Sequence, residues 1–80
     1  MLDVVEAKYV SEFRIWLRFE DGSAGEVDLA AELKGPIFEP LRKVEYFKRL
    51  AVNPELGTIA WPNGADFAPE FLHAKLHVAA

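Results

Sequence analysis

At 80 residues the chain makes one domain (1–80), and 51% hydrophobic residues with six Phe, two Trp and two Tyr exclude intrinsic disorder. The lack of cysteine excludes a disulfide framework, thiolate metal sites and a cysteine nucleophile, and points to a reducing, cytoplasmic setting. A net charge of −4 weighs against a polyanionic partner, the start Met1-Leu2-Asp3-Val4-Val5-Glu6 has no basic signal-peptide region, and no apolar run reaches the ~18 residues of a membrane span.

Val4–Val10 reads as a first strand, with Val5, Ala7 and Tyr9 as one alternating set and Val4, Glu6, Lys8 and Val10 as the other. Phe13–Glu20 is the clearest strand. Phe13, Ile15, Leu17 and Phe19 point one way and Arg14, Trp16, Arg18 and Glu20 the other, the period of a half-buried antiparallel strand. Asp21-Gly22 is a hairpin signal, and Ser23–Leu29 returns as a third strand with Glu26 and Asp28 outward and Val27 and Leu29 inward. The three segments form a meander.

Leu29–Lys34 has room for one helical turn, ended by Gly35-Pro36. In Ile37-Phe38-Glu39-Pro40-Leu41, Pro40 disfavours helix at Glu39, which predicts a tight apolar loop folding back on the sheet. Val44, Phe47, Leu50 and Ala51 have helical spacing, so Val44–Ala51 is a short helix dependent on tertiary packing. Val52–Leu56 turns the chain, Gly57–Trp61 is a fourth strand, and Pro62-Asn63-Gly64 stops it. A last helix runs from about Pro69 to His77, with Phe71, Leu72, Lys75 and Leu76 on one face. The order gives an α+β fold: a small antiparallel sheet, a meander plus a fourth strand, with two short helices, one of them C-terminal.

Three groups of residues invite a chemical reading. His73 and His77 share a helix face, with Glu70 one turn earlier, and such a pair can bind zinc. Ala74 stands where a metalloprotease helix needs Glu, so the simpler reading is two exposed histidines near a helix C-terminus and no metal site. Asp66, beside the Asn63-Gly64 turn, has no partner acid, nucleophile or metal to make it a general base, and reads better as a helix cap whose carboxylate accepts the Ala68 or Glu70 N–H. Arg14, Trp16 and Arg18 lie on one strand face. Either the rest of the chain covers Trp16, through the Pro36–Leu41 loop or a helix, with Glu26 and Asp28 pairing the arginines, or the face binds a partner. No phosphate-binding glycine pattern and no nucleophile with its base is present, so no catalytic or cofactor-binding residue is assigned.

Several phrases, taken together and in order, resemble the bacterial family known as domain of unknown function 2442. They are Phe19-Glu20-Asp21-Gly22, Val27-Asp28-Leu29, Gly35-Pro36-Ile37-Phe38-Glu39-Pro40-Leu41, Tyr46-Phe47 and Asn53-Pro54-Glu55-Leu56-Gly57-Thr58-Ile59-Ala60-Trp61-Pro62-Asn63-Gly64-Ala65-Asp66. The resemblance spans about Val4 to Leu76. It implies an α+β fold of the kind found ahead of a helix-turn-helix module, which these 80 residues do not contain, and, for the stand-alone form, a gene beside a second small protein in a toxin–antitoxin-like or accessory pair. It implies no catalytic residues.

The combined expectation is a non-enzymatic interaction module that needs no cofactor and binds another small protein through Arg14, Trp16 and Arg18 or through an open sheet edge. Self-association is the other option for so small a chain. A regulatory nucleic-acid-associated domain is the alternative, supported by the Arg-Trp-Arg stripe and opposed by the net charge. Trp61, Asn63, Gly64 and Asp66 are expected to build a structural corner.

Overall fold

The strict alternation of Ile15, Leu17 and Phe19 with Arg14, Trp16 and Arg18 organises the molecule, because it gives one strand a wholly apolar face and a second face with a tryptophan between two arginines. A computed structural model describes residues 2–76. Three strands, β1 (Val4–Ser11), β2 (Arg14–Phe19) and β3 (Ala24–Asp28), form an antiparallel meander with β2 in the centre. Ile15, Leu17, Phe19 and Val27 are fully buried on its inner face. A second antiparallel sheet pairs β4 (Ala51–Asn53) with β5 (Thr58–Ala60). Two short helices, α1 (Val44–Phe47) and α2 (Pro69–Ala74), and two 3-10 turns, Ala30–Glu32 and Glu39–Arg42, complete the α+β architecture.

β1 departs from the simple alternation. Val4 lies opposite Phe19 and Glu6 opposite Arg18, so Val5 is an extra residue on the bulged strand. One inserted residue reverses the phase of everything before it. Val4 is therefore buried at 2% exposure and Val5 exposed at 42%, the reverse of the grouping of Val5 with Ala7 and Tyr9. Sequence periodicity alone carries no sign of a bulge between two valines.

Two turns are built alike. In Phe19-Glu20-Asp21-Gly22-Ser23 the Phe19 N–H donates to Ser23 O (2.8 Å) and the Gly22 N–H to Phe19 O (3.0 Å). In Trp61-Pro62-Asn63-Gly64-Ala65 the same two bonds run from Trp61 to Ala65 O (2.9 Å) and from Gly64 to Trp61 O (2.9 Å). Gly22 and Gly64 have φ of +88° and +89°, the left-handed position such three-residue loops require. In each, an Asx side chain accepts the N–H two residues on: Asp21 from Ser23 (2.9 Å) and Asn63 from Ala65 (3.1 Å). Each turn thus sets a buried aromatic, Phe19 or Trp61, at its mouth.

The aromatic core follows from that placement. Trp61 is buried, donates its Nε1–H to Phe47 O (2.8 Å) and packs against both Phe47 and Phe67. Phe47 meets Tyr9 and Phe13 edge-on, while Phe67 stacks with Phe38 and Phe71. The Ile37–Leu41 segment does fold back, held by Asn63 Nδ2, which donates to Ile37 O (2.8 Å). Its end tightens into the 3-10 turn at Glu39–Arg42, with Pro40 in the first turn, and buries Leu41.

The helix expected over Val44–Ala51 is only one turn, Val44–Phe47. The chain then tightens through i→i+3 bonds, and Ala51–Asn53 becomes β4, opposite Ala60, Ile59 and Thr58. Pairing with β5 overrides the local helical spacing, since a one-turn helix has little stability of its own. The strand expected over Gly57–Trp61 is present as Thr58–Ala60 and joins β4, while the Val4 N–H of β1 donates to Gly57 O (2.9 Å), just ahead of it. The last helix ends at Ala74, and His77 lies outside the described residues. Leu72 is buried beneath it, and the Lys75 Nζ reaches Glu32 Oε2 at 2.8 Å, tying the end of α2 to the first 3-10 turn.

Candidate interaction surface

Because β2 is central, the residues that alternate away from the core line up across three strands. Lys8, Trp16 and Glu26 form one row; Glu6, Arg18 and Ala24 form the next; Arg14 and Asp28 pair on the other side of Trp16. The helices, the second sheet and the Glu39–Arg42 turn contribute their buried side chains to the opposite face. On the outer face the side chains of Lys8, Arg14, Arg18 and Asp28 stay 67, 57, 47 and 51% exposed, so no layer covers it among the described residues.

The expected cover over Trp16, from the Pro36–Leu41 loop or a helix, is therefore not there. Trp16 is partly buried, and the Lys8 ammonium from the neighbouring strand sits 5.5 Å from its ring centroid. The arginines do pair with acids. Arg14 lies 3.8 Å from Asp28 across the β2–β3 register, as cross-strand partners should. Arg18 turns the other way, donating its Nε–H to Glu6 (3.1 Å) on β1, because Ala24, with no polar group, stands opposite it on β3. That bond is the main reason the Glu6 carboxyl is held below its ordinary value of 4.5; loss of solvent opposes it, and Lys8, 3.5 Å away, adds to the lowering. Glu6 and Lys8 belong to this surface as fully as the Arg-Trp-Arg stripe. Their membership was legible in the period-two set Glu6 and Lys8, once β1 is paired with β2.

The other candidates fall elsewhere. Asp66 is not a helix cap: α2 starts after Ala68 in an extended conformation with no side-chain cap bond, and its first-turn proline needs no N–H partner. Asp66 instead forms an isolated antiparallel bridge with Ala60, which uses its backbone in the returning arm of the Trp61–Ala65 turn and leaves the residue exposed. Trp61, Asn63 and Gly64 hold that corner through the bonds already described. His73 faces Asp21, with Nε2 3.3 Å from Oδ2, and meets the Phe19 ring edge-on, so α2 is pinned to the β2–β3 turn. Asp21 is held below its ordinary 3.8, first by the Ser23 hydroxyl, then by the Ser23 N–H, with His73 adding to them. Among the described residues no group of three or more His, Asp or Glu is placed to hold a metal ion. No helix among them is long and apolar enough to cross a membrane.

Neither a curated protein nor a solved structure matches this chain. One family model does, over residues 4–77, with the description "Protein of unknown function (DUF2442)". That span includes the meander, the Gly35–Leu41 segment and the Trp61–Ala65 corner, and the chain therefore belongs to the DUF2442 family.

Proposed function

We propose that the protein is a non-enzymatic interaction module that binds a second small protein, in an antitoxin-like or accessory role. The observation that carries this reading is Trp16, an aromatic between Arg14 and Arg18 on a sheet face that no other described element covers. Trp and Arg are the residue types that dominate protein–protein contacts, and here they sit in the middle of a surface held rigid by the strand ladder. The alternative, a nucleic-acid-associated domain, has less support. Lys8, Arg14 and Arg18 share the face with Glu6, Glu26 and Asp28, so it lacks the excess positive charge that phosphate binding needs.

Co-expression with the product of the adjacent gene tests the proposal. A complex that copurifies with the wild type, and is lost with Trp16→Ala while the variant stays folded, is the expected result. A gene product that never associates with the protein would remove the reading. Oligonucleotide binding at low salt would favour the alternative in its place.

A further inference from the structure

The two edges of the meander are not equivalent. β1 carries irregularities at Val4/Glu6 and at Tyr9/Ser11, and its start is bonded to Gly57. Bulges and cover of this kind blunt an edge against further pairing. β3 has neither. It pairs with β2 in unbroken register over all five residues and, among the described residues, is hydrogen-bonded to no other strand.

The direction of its backbone groups can be deduced. The Phe19 N–H donates to Ser23 O, and the Leu29 N–H to Phe13 O, at the two ends of the β2–β3 ladder. Antiparallel hydrogen-bonded pairs alternate, so Ser23, Gly25, Val27 and Leu29 face β2, and the N–H and C=O groups of Ala24, Glu26 and Asp28 face outward. None of these three is joined by a backbone hydrogen bond to another described segment. A groove of about 290 Å³ lined by Arg14, Glu26, Val27 and Asp28 borders the same edge. The strand has neither the lysine nor the proline that commonly guards an edge.

Charge determines what fits there. The side chains on the outer face of β3 are Ala24, Glu26 and Asp28. A second copy pairing antiparallel through the same edge would set acid against acid around Glu26, and like charges directly opposite are destabilising. A strand with lysine or arginine at alternate positions would continue the rows Lys8–Trp16–Glu26 and Arg14–Asp28 with a cation in the next place. We infer that the β3 edge, Ala24–Asp28, is a strand-addition site for an extended basic segment of a partner protein, with Lys or Arg on the Trp16 side and small apolar residues on the core side. This rests on the interaction-module reading above and assigns its docking edge.

Two blocked hexapeptides test it, one alternating Lys with Val or Thr and the other alternating Glu with the same residues, each titrated into isotope-labelled protein and followed by amide NMR. The expected result is binding of the basic peptide at least tenfold tighter than the acidic one, with the largest shifts and slowed exchange at Ala24, Glu26 and Asp28. Glu26→Gln with Asp28→Asn should weaken the basic peptide at least threefold. Ala24→Pro removes one outward N–H without touching the β2 ladder or any charge, so it should abolish binding while melting stays close to the wild type. Equal binding of the two peptides, shifts centred elsewhere, no binding at millimolar peptide, or a dimer built on β3 would each overturn the assignment. If the adjacent gene product still copurifies with Ala24→Pro but not with Trp16→Ala, the edge assignment fails and the interaction-module reading stands.

Discussion

Asn63 and Asp66 sit three positions apart, and only one of them holds the structure together. Asn63 donates to Ile37 O and accepts from Ala65 N–H, joining the corner to the Gly35–Leu41 segment. Asn63→Ala should cost about 1–2 kcal/mol through both lost bonds, read as a lower urea midpoint. Asp66→Ala, at an exposed side chain with no capping bond, should change stability by less than about 0.5 kcal/mol. Gly57 is a harsher case. Its φ is +68°, and a Cβ there would lie 2.6 Å from the Asp3 carboxylate. Gly57→Ala should therefore destabilise by roughly 1–3 kcal/mol, combining backbone strain with displacement of Asp3. Removing the carboxylate's bulk as well, in Gly57→Ala with Asp3→Ala, should recover part of that loss. The sequence carried the turn chemistry of Asn63-Gly64 in its residue types. It could not distinguish a cap from a bridge at Asp66, because both place an aspartate shortly before a helix.

The elements that were legible are those with a strict local signal. β2 declares itself through six alternating residues, and the Asp21-Gly22 and Asn63-Gly64 turns through the residues that left-handed φ and Asx bonds demand. β4 had no such signal: Ala51-Val52-Asn53 is three residues long, follows a helix-spaced pattern, and exists because β5 lies beside it. The bulge at Val5 was equally silent, since either valine suits the core. The β1–β2 turn stores strain of its own, with Glu12 at φ +50°. A side chain there costs about 1 kcal/mol, so Glu12→Gly or Glu12→Asn should raise the melting temperature slightly. Across the same strands, the Glu6–Arg18 bond makes stability pH-dependent. Glu6 is held low in the folded chain, so its contribution is present above the ordinary value of 4.5 and is lost as pH falls through the lowered folded value. Glu6→Gln should thus be less stable than the wild type at pH 7, and the difference should vanish in acid unfolding curves. High salt should shrink it as well, because Arg18 is 47% exposed.

At the scale of the whole molecule, the two tryptophans divide the labour. Trp61 joins the α1 end, the corner and Phe67 into one core, while Trp16 stands on the opposite side of the meander among paired charges. The sequence supplied both faces of β2 but not their fates, because whether a third layer covers a sheet depends on where the later helices pack. Here α1 and α2 both send their buried side chains to the inner face. A chain this small has only about 5–15 kcal/mol of stability to lose. Parallel thermal unfolding of Trp16→Ala and Trp61→Ala tests the separation of core from interaction surface most directly. Trp61→Ala should cost about 3–5 kcal/mol and leave little folded protein at 37 °C, whereas Trp16→Ala should cost about 1 kcal/mol and melt as a cooperative domain. A Trp16→Ala variant that unfolds as readily as Trp61→Ala would contradict the account, because it would make the outer face part of the core.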